Sequence, residues 1–333
     1  MLELRALGAL AKATTLALLA IATPSAAIPW SQPAQLGRCT AGSPPLIAFP
    51  FSTPTVATGP GAIVWSAAAS CRGAAGPRVV ALGPDLQPGS ERRLSSVANA
   101  VPSAIAAAPH GRIVVAARRG SGGAQLLEGR ANGSFSPLAM SAAEPVGLAT
   151  AYLGDTGLVT ASAGGGLRVQ VQRHDSTSFS PARKVLAGPS RAADAQVALD
   201  FRTDQLVVWR SGDELFARYL PVEGAAGPVR RLAHVKGVVR IAALLSDNGR
   251  ATVAWSQRAR GTVSVYLDRS AAGPDFGMPR LLERDREPHG VAAPSHSPLL
   301  VRVADESVMM AWAGVTSGRW VVRTAPIAET LGA

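Results

Sequence analysis

The chain repeats itself, and the period of that repeat limits its fold more than any other feature. A short apolar strand closing on Trp, or on Ala in its place, recurs as Ile63-Val64-Trp65, Ile113-Val114-Val115-Ala116, Leu158-Val159-Thr160-Ala161, Leu206-Val207-Val208-Trp209, Ala251-Thr252-Val253-Ala254-Trp255 and Met309-Met310-Ala311-Trp312. The closing residues stand at 65, 116, 161, 209, 255 and 312, spaced 45 to 57 residues apart. One unit reads clearly. An apolar strand (Val239 to Leu244) meets an Asp247-Asn248-Gly249 turn, where an Asn-Gly pair favours positive φ at both central residues. The strand ending at Trp255 follows, then a polar loop from Gln257 to Gly261 and an alternating strand from Thr262 to Leu267. Gly273 to Gly277 turns the chain into a short outer strand, Pro279-Arg280-Leu281-Leu282. The outer strand recurs after Phe-x-x-Pro-like turns at Phe135-Ser136-Pro137-Leu138, Phe179-Ser180-Pro181-Ala182 and Phe276-Gly277-Met278-Pro279, and Arg92-Arg93-Leu94 and Arg230-Arg231-Leu232 fill the same slot. Helical 3.6-residue periodicity is scarce, while short Val/Ile/Leu runs between Gly, Pro, Asp and Ser clusters recur throughout.

Four short strands in about 40–50 residues match the length of a propeller blade. One such sheet hides its faces only against neighbours, so a ring of units buries a continuous core. The expected fold class is all-β, a β-propeller of about six four-stranded blades over residues 46–333, with the Trp residues packed between blades. The last unit stops after Trp320-Val321-Val322-Arg323 without a clear outer strand. A segment within Pro45 to Ser52 is expected to complete it and so remove an exposed edge. On this blade pattern the chain resembles the secreted bacterial β-propellers with sialidase-like or kelch-like repeats. Resemblance to sialidases implies an Asp box, Ser-x-Asp-x-Gly-x-Thr-Trp, between the third and fourth strands. The nearest match, Ser246-Asp247-Asn248-Gly249, lies instead between the first and second, and the three tyrosines (Tyr152, Tyr219, Tyr266) place no nucleophile. The resemblance therefore implies a fold and not a reaction.

Residues 1–27 read as a secretory signal. Arg5 and Lys12 form a positive n-region, Thr14 to Ala22 a short apolar core, and Ser25-Ala26-Ala27 a small-residue cleavage site. A membrane span needs about 20 apolar residues, and Lys12 and Pro24 bracket fewer, so no span is expected after cleavage. Residues 28–45 then form an N-terminal segment before the propeller, and the localisation is secreted. Export lets the two cysteines, Cys39 and Cys71, pair as a disulfide. A bridge closing a loop of this size contributes about 3–4 kcal/mol.

Catalytic signatures are missing from the sequence: no Gly-x-Ser-x-Gly elbow, HExxH, P-loop or dinucleotide fingerprint is present. His110, His174, His234, His289 and His296 are scattered, so neither metal nor cofactor is expected. Charge offers one lead. In a propeller blade the loops joining strands two to three, and blade to blade, emerge on one face. Sorted this way, that face collects Arg72, Arg118, Arg119, Arg191, Arg258, Arg260 and Arg286. The opposite face is rich in turn aspartates, which turn chemistry explains. Arginine suits bidentate contact with carboxylate, sulfate or phosphate, and the formal charge is +11. The long connection from Arg284 to Ser297 is the other candidate. With 5% aromatic residues and none interleaved with the basic loops, nucleic acid is not an expected partner. The expected function is a secreted, non-catalytic binding module for an anionic polysaccharide or other cell-envelope polymer, or an envelope protein. The alternative is a carbohydrate-active hydrolase or lyase with a non-standard site in the central funnel.

Overall fold

A computed structural model describes residues 46–48, 61–67, 76–82, 89–94, 100–108, 111–119, 123–130, 133–141, 143–151, 153–162, 164–186, 192–270, 275–288, 298–302 and 308–327. The expected signal, the 28–45 segment and both cysteines lie outside the described residues.

The described elements are all β. Blade 1 contains β1 (Leu46–Ala48), β2 (Gly61–Ala67), β3 (Gly76–Leu82) and β4 (Arg92–Arg93). Blade 2 contains β5 (Val101–Ala107), β6 (Arg112–Arg118), β7 (Ala124–Arg130) and β8 (Phe135–Ser141). Blade 3 has β9 (Glu144–Thr150), β10 (Thr156–Ala161), β11 (Leu167–Gln172) and β12 (Arg183–Leu186). Blade 4 has β13 (Ala192–Leu199), β14 (Gln205–Ser211), β15 (Glu214–Leu220) and β16 (Arg230–His234). Blade 5 has β17 (Val238–Leu245), β18 (Ala251–Ala259), β19 (Thr262–Arg269) and β20 (Arg280–Arg286), and blade 6 has β21 (Leu299–Arg302), β22 (Val308–Thr316) and β23 (Arg319–Ile327). Each blade is one antiparallel sheet in sequence order, and the fold is the expected β-propeller. First strands pack in succession, β1 on β5, β5 on β9, β9 on β13, β13 on β17 and β17 on β21. Five of them (β5, β9, β13, β17 and β21) line a central cavity of about 240 Å³.

Every expected Trp- or Ala-ended strand is the second strand of a sheet, and in β6, β10, β14 and β18 its residues alternate between two interfaces. In β14, Val207 and Trp209 pack toward blade 3, while Leu206 and Val208 pack toward blade 5. Period-2 alternation between two buried faces explains why these strands read as unbroken apolar runs. It also corrects the alignment of the repeat. Ala116 packs with Leu148 and Leu158 of blade 3, and Ala161 lies against the blade 3–blade 4 core. Both therefore face the following blade, whereas Trp209 and Trp255 face the preceding one. The face-equivalent residues are Ala117 and Thr160, one residue earlier or later than the sequence alignment has them, because a one-residue slip exchanges faces.

Three other expectations change. Leu46–Ala48 pairs with Ala62–Val64 as the innermost strand of blade 1, so the Pro45–Ser52 segment does not complete blade 6. Among the described residues that blade has three strands. The Asp247–Gly249 turn has positive φ only at Gly249 (79°), and the Gly249 N–H donates to Ser246 O at 2.9 Å. Ser246 to Gly249 form a four-residue turn that ends on the left-handed glycine, within the five residues that separate paired Leu245 and Ala251. Finally, Arg284, Asp285 and Arg286 belong to β20, so the long connection begins later than expected; His289 and His296 lie outside the described residues.

Polar ties cross the interfaces. Arg92 Nη1 donates to Gly133 O at 2.9 Å, and Arg218 Nη1 to Val185 O at 2.7 Å. Asp247 accepts the Phe201 N–H of blade 4 at 3.0 Å and is held by buried Arg302 of blade 6. Trp209 is fully buried and stacks on Phe216, with ring centroids 5.7 Å apart. Its indole N–H has no hydrogen-bond partner among the described residues, which costs about 1–3 kcal/mol. Burying an aromatic surface of roughly 200 Å² gives about 5 kcal/mol, so packing outweighs the lost bond. Trp209→Ala is expected to destabilise the protein by about 3–5 kcal/mol in denaturant titrations, while Val322→Ala on the exposed β23 surface changes stability by less than about 0.5 kcal/mol.

Candidate functional site

At the interfaces between blades 3 and 4, 4 and 5, and 5 and 6, strand four of one blade faces strands two and three of the next. Side chains decide whether the space is filled. Between blades 3 and 4 it is: Val185 and Leu186 pack on Trp209 and Phe216. Between blades 5 and 6 it is filled by charge. Glu283 accepts the Trp312 indole N–H and pairs with Arg323 at 2.9 Å. Burial, with a hydrogen bond to Asp285, raises the Glu283 carboxyl above its usual range. A Cβ on Gly314 would fall 2.4 Å from Glu283 Oε1, so only glycine leaves room for this arrangement.

Between blades 4 and 5 the space stays open as a groove of about 380 Å³, within the roughly 300–1,000 Å³ of small-ligand pockets. Register shows why. Phe216 and Tyr266 are the cross-strand partners of Trp209 and Trp255. After the bulge in each outer strand, Ala233 of β16 opposes Leu215 and Glu283 of β20 opposes Val265. Ala233 thus occupies the position that Glu283 occupies one blade later, and its methyl group is too short to reach the indole.

The groove wall is Tyr266, stacked on buried Trp255 with centroids 5.4 Å apart and planes 12° from parallel. Tyr266 Oη accepts from Gln257 Nε2 and Arg284 Nη2, both at 3.2 Å. Those two donors leave the phenolic hydrogen free to donate to a ligand. Arg231 and His234 line the opposite side. Glu214 Oε1 sits 3.6 Å from Arg231 and 3.3 Å from His234 Nδ1, and Glu214 Oε2 has no hydrogen-bond partner among the described residues. An aromatic face beside a few fixed donors and acceptors suits a small polar ring with one apolar side.

The sequence-derived arginines have separate placements. Arg118 pairs with Glu144 at 2.9 Å. Arg258 forms a bidentate pair with Glu287 at 2.6 and 3.0 Å, which lowers the Glu287 carboxyl below its usual range. Arg119, Arg260 and Arg286 are exposed and have no ion pair among the described residues. Arg260 and Gly261 form a two-residue hairpin tip with φ of 52° and 71°, a type I′ arrangement that puts the guanidinium in solvent. Arg72 and Arg191 lie outside the described residues. The blade 4–blade 5 groove was missed because it depends on a small residue, Ala233, whose meaning appears only once the bulged register is known.

Buried acids lie at the ends of β13 and β19. Asp200 Oδ1 accepts the Arg202 and Asp204 N–H groups, both at 2.9 Å. Asp204 accepts the Tyr219 hydroxyl and the Val222 N–H. Burial, reinforced by the Asp204 charge, pushes Asp200 up to about 6; burial does the same to Asp268, also to about 6.

Neither a protein-family model nor a curated protein matches the chain. Among solved structures it is similar to the SapL1 lectin in complex with alpha methyl fucoside, at 12% identity over 87% of this chain and 98% of that one, with a TM-score of 0.50. A fungal lectin from Aleuria aurantia, described as a six-bladed β-propeller with a novel fucose recognition mode, is similar at 11% identity over 85% and 95%, with a TM-score of 0.52. At such identities the likeness is one of fold.

A folded-state value near 6 lies above the ordinary aspartate value, so each of these two carboxyls favours the fold while protonated. Their contribution to stability is full below about pH 4 and is lost as pH rises through about 6, by up to about 3 kcal/mol per group, while Glu287, with its lowered carboxyl, contributes in the opposite direction. Asp200→Asn keeps the Oδ1 acceptor and cannot ionise. Chemical denaturation from pH 4 to 7 should show a shallower decline for this variant, and an unchanged decline would remove Asp200 as a cause.

Proposed function

We propose that this chain is an exported, non-catalytic carbohydrate-binding β-propeller that holds a pyranose ring in the groove between blades 4 and 5. The supporting observation is the open groove itself, with the Tyr266 face stacked on Trp255 and the Arg231–His234–Glu214 set across from it. A sugar presents C–H bonds on one face and hydroxyls around its edge. The aromatic face suits the first, and the free Tyr266 hydroxyl hydrogen, Arg231 and His234 suit the second. Of the two lectins similar in fold, one is in complex with alpha methyl fucoside and the other is described by its fucose recognition mode, which adds weight to a saccharide over other small polar rings. We extend the reading to an anionic envelope polysaccharide, whose acidic groups meet exposed Arg119, Arg260 and Arg286.

The test is binding to a panel of neutral and anionic saccharides at low and high salt, with melting temperature as the folding control. Tyr266→Ala is expected to weaken pyranoside binding at least tenfold. Ala233→Glu rebuilds the Glu283-type contact to Trp255 Nε1 and closes the groove, so it should abolish binding without lowering the melting temperature. A salt-sensitive component lost in Arg260→Ala would support the basic rim. Unchanged binding by Tyr266→Ala and Ala233→Glu would overturn the groove assignment.

A further inference from the structure

We infer that the cleft between blades 2 and 3 is a second ligand site, built for a saccharide unit bearing one acidic group. It encloses about 610 Å³, enough space for a ligand larger than one ring by the ordinary range of pockets. Glu128, Arg130, Ser134, Leu138, Leu153 and His174 line it. None of these residues belongs to the blade 4–blade 5 groove, and the inference does not depend on that groove.

The charges of the cleft compensate one another except at one place. Arg112 donates Nε to Glu128 Oε1 at 2.8 Å and Nη2 to Glu128 Oε2 at 3.2 Å. The same guanidinium reaches Gln172 Oε1 at 3.0 Å and Gly154 O. Four of the five Arg112 N–H groups are thus engaged; its work is to fix the Glu128 carboxylate and tie blade 2 to the blade 3 loop that forms the far wall. Asp155 is buried and its Oδ1 accepts both the His174 backbone N–H, at 2.6 Å, and His174 Nδ1, at 2.8 Å. Because a carboxylate only accepts, Nδ1 carries the proton and Nε2 is left for a ligand. Arg130 alone among the charged lining residues has no ion pair among the described residues. An uncompensated guanidinium in a walled cleft favours a carboxylate or sulfate in bidentate contact.

The remaining lining fits a sugar around that anion. Glu128 keeps lone pairs that accept hydroxyl hydrogens, Ser134 both donates and accepts, and His174 Nε2 accepts. Leu138 and half-exposed Leu153 give the apolar surface that the C–H side of a ring covers. One acidic group per ligand matches the one lining arginine without an ion pair among the described residues. The ligand class is an acidic disaccharide unit, of hexuronate or sulfated type.

The experiment titrates the protein with a disaccharide carrying a single hexuronate carboxylate, the methyl ester of that disaccharide and a monosulfated disaccharide by calorimetry. Binding of at least one anionic probe is expected to exceed that of the neutral ester by tenfold or more, and which one does so separates carboxylate from sulfate. Arg130→Gln should remove this preference, and His174→Ala should weaken both anionic and neutral probes while melting temperature holds. Ala233→Glu should leave the preference intact, so loss of the other groove is read separately. Equal binding of all three probes, binding of none, or an anion preference that survives Arg130→Gln would overturn the inference.

Discussion

The described structure depends on burying both faces of second strands β6, β10, β14 and β18 between neighbouring sheets. A single four-stranded sheet here exposes two apolar surfaces, and neither can be hidden within its own blade. The alternation of β14, with Val207 and Trp209 to one side and Leu206 and Val208 to the other, makes blade 4 the solvent shield of blades 3 and 5. Backbone ladders satisfy polar groups within a blade, while side chains alone hold blade to blade. Interfaces are consequently where this sequence is free to vary, and where its chemistry accumulates.

The interfaces illustrate how one geometry acquires different uses. Val185 and Leu186 close one with aliphatic packing, and Glu283 closes another with a hydrogen-bonded carboxylate whose proton affinity rises on burial. Ala233 leaves the intervening interface open. The difference between a sealed interface and a ligand groove is therefore a few atoms on one residue of an outer strand. Those atoms act across a blade boundary, on an indole about twenty residues farther along the chain.

That distance explains what was legible in the sequence. Second strands could be read from Val/Ile/Leu runs ending at Trp209 or Trp255, because a strand buried on both faces needs continuous apolar residues. Turn and outer-strand positions followed from local chemistry at Asn248-Gly249 and Pro279. Face assignment at Ala116 and Ala161 was not legible, since small residues carry no mark of orientation and a slip of one changes interface. The Arg118–Glu144 and Arg258–Glu287 pairs were hidden for a related reason. Sorting charges by loop gives a face, but compensation depends on which strand end lies beside which, and register decides that.

The same reasoning separates structural from available charge. Asp247 looks like a turn residue in sequence and resembles part of a sialidase motif, yet it receives a backbone N–H from blade 4 and a buried guanidinium from blade 6. Its carboxylate joins three blades. Asp155 and Arg112 are likewise consumed by the groups they position, His174 and Glu128. In a repeat protein held together by side chains, most buried charge belongs to assembly. Groups left open for a ligand are then those that assembly leaves over, such as the Tyr266 hydroxyl hydrogen, His174 Nε2 and the Arg130 guanidinium.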